Sequence, residues 1–248
     1  MRGCGLTRHR WRLVWFIAFI FSASAPAAHA QNLAGVFPPL PVSKQLDYRA
    51  GWRPGENGGP DRYAQRIHYQ ERFAGRFLWR GIVQVNDADG EGLDFDFAQA
   101  EFFWLLTDEN APWSAALRFD ARVREGSEPE EFALNLANEF RLTSKITARF
   151  NILTKREIGD QRRQGLRFET RSNLFMRTDG GVIFGVESYN DHGSTADLDF
   201  YGPSQRQQTG PFAVWPLGDE FFLLTSALFG LNAQSPDADF RIWVQKNF

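Results

Sequence analysis

The sequence predicts an all-β fold, an antiparallel transmembrane β-barrel of about 12 strands with short periplasmic turns and longer extracellular loops. Three observations predict it. Apolar and polar residues alternate with a period of two through most of the chain. The alternating runs are long enough for a tilted membrane crossing, at about 9 to 12 residues each. The links between them alternate between tight and long.

The elements follow in order from an address. Residues 1–30 pass from a basic stretch ending at Arg12, through the apolar run Leu13–Phe21, to the small-residue sequence Ala28-His29-Ala30. That is the pattern of a cleavable secretory signal, and the apolar run is short of the roughly 20 residues an anchoring helix needs. Its expected consequence is a chain cleaved before Gln31 and exported to the bacterial outer membrane. Cys4, the only cysteine, lies in this segment, so the remainder offers no disulfide and no cysteine metal site. Residues 31–43 carry Pro38, Pro39 and Pro41 and are expected to form a short periplasmic lead-in, with a small plug inside the barrel as the alternative. Residues 44–248 are expected to form the barrel.

Alternation is clearest from Trp113 to Arg124, where Trp113, Ala115, Leu117, Phe119, Ala121 and Val123 share one face and Ser114, Ala116, Arg118, Asp120, Arg122 and Arg124 the other. It recurs in Phe132–Leu142, Ile146–Ile152, Leu166–Arg177 and Phe240–Phe248. Twelve strands are expected, at 45–53, 64–73, 76–86, 93–106, 112–124, 131–142, 145–156, 164–177, 181–190, 207–216, 219–231 and 238–248. Tight links at 73–76, 142–145, 177–181 and 216–219 alternate with Gly-, Pro- and Asp-rich loops, the longest spanning Asp191–Arg206. A soluble barrel or sandwich shares the periodicity. The export signal, even strand count, strand length and alternating links favour the membrane form. Trp104, Trp113, Trp215 and Trp243 are expected in aromatic girdles. Around Asp94–Leu106 the register is open, with a bulge expected before Phe102 and a polar face reaching Ala98.

In the closing strand Phe240, Ile242, Val244 and the terminal Phe248 share one parity, although Lys246 interrupts it. This resembles the carboxy-terminal signal that the barrel-assembly machinery reads in outer-membrane proteins. Together with Leu228-Phe229-Gly230-Leu231, Ser235-Pro236-Asp237 and Phe184–Tyr189, it is similar to a group of small proteobacterial outer-membrane barrels without an established activity. The resemblance implies fold and location, with outer-membrane lipids and the assembly machinery as partners, and leaves function to the residues.

Charge narrows the function. The first 30 residues hold four arginines and no acid, which leaves 24 basic against 30 acidic residues beyond them, a net of −6. Such a chain is a poor nucleic-acid binder. Lysine appears only at 44, 145, 155 and 246, so arginine makes up 20 of those 24, as suits guanidinium groups set among fixed partners. The inward parity collects Arg80, Arg118, Arg122, Arg124, Arg141, Arg149, Arg167, Arg171 and Arg241, with Asp120, Glu139, Glu169 and Glu187 as partners. A basic lumen of this kind suits a narrow channel for small anionic solutes such as acidic sugars. The alternative is a structural or interaction barrel whose bore is closed by interlocking side chains.

Chemistry is otherwise thinly supplied, and no cofactor, metal or catalytic residue is expected. Asn190-Asp191-His192-Gly193-Ser194 holds the residue types of a membrane hydrolase, but a base must meet its nucleophile in space. Asp87, Asp89, Glu91, Asp94 and Asp96 lack the spacing of a calcium loop. His68 shares parity with Arg66, Gln70 and Arg72 and is expected to be a hydrogen-bonding lumen residue.

Overall fold

A computed structural model describes residues 33–56, 58–87, 92–196 and 205–248. The signal read over residues 1–30 lies outside them, as do Asp89 and Glu91. The chain forms twelve strands, β1 (Lys44–Arg53), β2 (Arg62–Ala74), β3 (Phe77–Asp87), β4 (Asp94–Leu105), β5 (Trp113–Arg124), β6 (Glu130–Arg141), β7 (Ile146–Ile158), β8 (Arg167–Arg177), β9 (Ile183–Ser194), β10 (Gln207–Pro216), β11 (Phe221–Gly230) and β12 (Ala238–Asn247). Each pairs antiparallel with its neighbours in sequence. β1 closes the barrel on β12, from Gln45 opposite Asn247 to Trp52 opposite Phe240. Closure leaves no unpaired edge, which is what a sheet surrounded by lipid requires.

The wall turns its apolar face outward. Ile67, Val83, Val123 and Val186 are each about half exposed, at 53%, 49%, 50% and 55%, while Asp47, Gln70, Glu101 and Arg241 on the opposite parity are buried. Water would not tolerate so continuous an apolar surface, whereas a lipid bilayer requires one. On β8 and β9 the belt is interrupted, because Thr170, Ser172 and Ser188 take the outward parity, Ser172 facing Ser188 across the strands. Trp104, Trp113 and Trp215 stand outward near the short-turn end. Trp243 does not: it is 5% exposed and faces the bore, because its outward-facing neighbours Ile242 and Val244 fix its parity.

Short links cap one end. Gly218, at φ 102°, adopts the left-handed conformation that completes the 217–220 turn. The link 106–112 belongs to the same end but is longer, and it is tied down at both sides. Arg72 grips the Glu109 carboxylate through two hydrogen bonds of 3.1 Å, and Arg141 donates to the Glu109 carbonyl at 2.8 Å. At the far end β9 runs on to Ser194, four residues beyond its expected limit, so the loop begins later than the sequence suggests.

The bulge in β4 falls at Asp96, where Gln84 faces Phe97 and Val85 faces Phe95. Asp96 and Phe97 are both buried in the bore, which returns Ala98 to the outer wall rather than leaving it on the polar face. Inside, toward the short-turn end, lie two apolar clusters. One joins Leu78, Phe103, Ala137 and Leu153 to Phe37 and Leu40, and the other joins Phe175, Phe212, Leu224 and Trp243, with Ile183 and Val214 beside them.

Candidate functional site

The bore holds a repeated charge motif in which one carboxylate is bracketed by two cations. Glu101 meets Arg80 at 3.0 Å and Arg118 at 3.5 Å, and Glu131 meets Arg122 at 3.3 Å and Arg124 at 2.9 Å. Glu139 lies between Arg141 and Arg149 at 3.5 and 2.7 Å, and Glu169 between Lys155 and Arg171 at 2.8 Å each. Glu157 repeats the arrangement with Arg163 and Arg167. Strand geometry explains the pattern, since inward residues lie two apart on one strand and directly opposite on the next. Each bracket holds its cations in place, and those of Glu139 and Glu169, which no further described carboxylate joins at ion-pair distance, leave a local positive surplus.

Two additions modify the motif. Asp120 gives Arg118 a second partner at 2.6 Å, and Glu187 pairs with Arg241, which also donates to Ser226 at 2.6 Å. Arg66 meets no described carboxylate at ion-pair distance. Its Nε donates to Gln84 at 2.6 Å and its guanidinium stands 5.2 Å from the Phe97 ring, leaving its charge uncompensated locally.

The segment expected as a periplasmic lead-in runs into the bore instead. The Phe37 N–H donates to Asn151 Oδ1 at 3.0 Å, and Asn151 Nδ2 donates back to the Phe37 carbonyl at 3.0 Å. One side chain thus satisfies both backbone polar groups of a buried residue. Arg49 donates to the Leu33 carbonyl, Arg241 to that of Ala34 and Gln70 to that of Val42. Arg118 lies 3.9 Å over the Phe37 ring, whose edge meets Phe103. The prolines, which have no N–H to pair, explain why this stretch packs as a strap and adds no strand.

A cavity of about 390 Å³ remains beside the strap. Nine basic and five acidic side chains line it, a formal surplus of four positive charges. Of the predicted lumen residues, Arg80, Arg118, Asp120, Arg122, Arg149, Glu169, Arg171 and Glu187 border this space. Glu139 and Arg141 lie toward the short-turn rim, Arg167 pairs with Asp191 at the far mouth, and Arg241 backs the strap. Sequence reasoning missed Arg49, Lys155, Arg177, Glu101 and Glu131 as members of this lining and placed Arg66 only by its shared parity with His68. A signal for Arg49 was present, since Leu46, Tyr48, Ala50 and Trp52 alternate with Asp47, Arg49, Gly51 and Arg53.

Other candidates resolve individually. His68 faces the bore as expected, 3.9 Å from Asp47, but neither ring nitrogen, both buried, bonds a described protein atom. His192 Nε2 lies 2.9 Å from Thr170 Oγ1, while Ser194 Oγ accepts from the Ala196 N–H. Asp96 receives Arg124 at 3.1 Å and Gln84 at 2.5 Å. Phe240, Ile242, Val244 and Phe248 all stand outward. Lys246 joins them with its ammonium 4.8 Å from the Phe248 ring and 5.4 Å from that of Phe221.

No protein family and no curated protein matches the sequence. Solved structures do resemble the fold. A KdgM porin in complex with disordered oligogalacturonate superposes with a TM-score of 0.61 at 12% identity, covering 82% of this chain and 99% of its own. A second KdgM porin structure gives 0.61 at 13%, over the same shares. A NanC porin gives 0.60 at 11%, covering 82% of this chain and all of its own. The chain therefore has the closed twelve-strand barrel of outer-membrane porins.

Proposed function

We propose that this protein is a narrow outer-membrane channel for small anionic solutes. The excess of basic over acidic side chains lining the cavity, nine against five, inside a barrel with an apolar exterior, carries the reading. A porin of the same fold forms a complex with disordered oligogalacturonate, an acidic oligosaccharide, which supports the reading by analogy of fold. The proposal includes cleavage of residues 1–30, lipid around the barrel, assembly through the signal at Phe240–Phe248, and no catalytic activity. Membership of the small proteobacterial barrel group resembled by the closing hairpin belongs to it too. A second reading, a non-conducting structural barrel, is favoured by the strap and its backbone hydrogen bonds to the wall.

Single-channel recording of refolded residues 31–248 in planar bilayers separates the two. Stepwise conductance with chloride preferred over potassium is expected, and Arg66→Gln, which removes a locally uncompensated charge, lowers that preference. Absence of conductance from folded protein leaves only the structural barrel.

A further inference from the structure

The cavity has two unlike walls. Along β2 to β8 it is edged by guanidinium and ammonium groups, among them Arg66, Arg122 and Arg171. Across from these, toward the short-turn end of β8 to β12, it is edged by Phe175, Phe212, Val214, Leu224 and Trp243. The strap fills the opposite side of that same end, where Phe37 and Leu40 pack on Leu78, Phe103, Ala137 and Leu153. A solute leaving the basic region for the short-turn mouth thus has the second apolar cluster on one side and Val36, Pro38 and Pro41 of the strap on the other. Arg177, at the end of β8, lies beyond.

A polyhydroxylated acid crossing such a slot exchanges water for carbon around each hydroxyl, at a cost for every unmatched group. A carboxylate attached to an apolar ring meets its match on both walls. Guanidinium groups take the carboxylate, and the aromatic and branched side chains take the ring. The pairing recurs within the wall itself, where the Arg149 guanidinium stands 4.9 Å from the Phe175 ring and that of Arg49 3.8 Å from the Trp243 ring.

Resting on the anion-channel reading, we propose that the preferred solutes are amphipathic organic monocarboxylates, an anionic head on an apolar ring, rather than hydrophilic sugar acids. The test compares potassium benzoate with potassium glucuronate, acids built on six-membered rings, by reversal potential under bi-ionic conditions against chloride. Benzoate is expected to be about threefold or more as permeant as glucuronate, the scale of a partial apolar transfer. Phe212→Gln is expected to abolish that preference while chloride remains favoured over potassium. Val214→Thr, close to isosteric, keeps the test alive should the larger change prevent folding, and heat-modified gel mobility reports folding for both. Equal or greater permeability of glucuronate in a chloride-selective channel overturns the solute class alone. A preference unmoved by a folded slot variant overturns the role of the apolar wall. Potassium selectivity or absence of conductance overturns the anion reading together with it.

Discussion

Replacing Asn151 with alanine releases the strap. The side chain is fully buried and supplies both the acceptor and the donor for Phe37. Removing it leaves a buried N–H and carbonyl, each costing about 1–3 kcal/mol when unpaired. Water entering the space that the side chain vacates would recover part of this, so a shift near the lower end, about 2 kcal/mol, is expected. Burial of the Phe37 ring contributes about 1.5–3 kcal/mol. The guanidinium of Arg118 above it adds about 0.5–2 kcal/mol. Asn151 is therefore comparable with the ring as an anchor, and 2 kcal/mol is about a thirtyfold change in the equilibrium between seated and released strap. Asn151→Asp, which keeps the acceptor and loses the donor, falls between. The readout uses Leu33→Cys, buried while the strap is seated and a lone thiol because Cys4 precedes residue 31. Modification of that thiol by an anionic thiosulfonate accelerates about thirtyfold in the Asn151→Ala background, and conductance rises with it. Unchanged modification rate and unchanged conductance would refute the reasoning.

Two further outcomes follow from charges near the loop end. Asp61 receives the Gly55 N–H at 2.8 Å and the Trp52 indole N–H at 2.9 Å, and these bonds hold its carboxyl below the ordinary 3.8. A depressed acid stabilises the loop above its ordinary value and loses that contribution as pH falls through the depressed one, so Trp52 emission is steady at neutral pH and shifts only below about pH 4. Arg53 and Asp239 form a buried pair at 2.7 Å, and Asp239→Ala removes that pair together with the Gln208 hydrogen bond at 2.8 Å, costing about 3 kcal/mol in urea unfolding followed by tryptophan fluorescence.

The wall was legible because alternation in a strand is a direct record of two solvents. Trp113–Arg124 carries apolar residues for lipid and charges for the bore, and all six of its inward positions were readable. Legibility ended where the bore stops being polar. Leu78, Phe103 and Phe175 are apolar at inward positions because they pack against the strap or one another, so their strands lose the contrast that marks a face. The bulge at Asp96 shifted parity within β4 and hid Glu101 and Phe97 from a simple count. The strap itself has no period to read. Its position depends on Asn151, 114 residues away, and nothing local to Phe37 announces that partner.

The strap and the bore it narrows are one molecule, joined at Lys44 where β1 begins. A blocker on so short a tether has an effective concentration in the millimolar range or above, whatever the amount of protein in the membrane. Occupancy of the bore is thus a fixed property of each copy, insensitive to expression level and to dilution. A free peptide of the same sequence would have to reach comparable concentrations to replace it. A solute that competes for the same space contends with a ligand that never diffuses away, so it gains entry by outbidding Asn151 and Arg118 for contacts rather than by waiting for a vacancy.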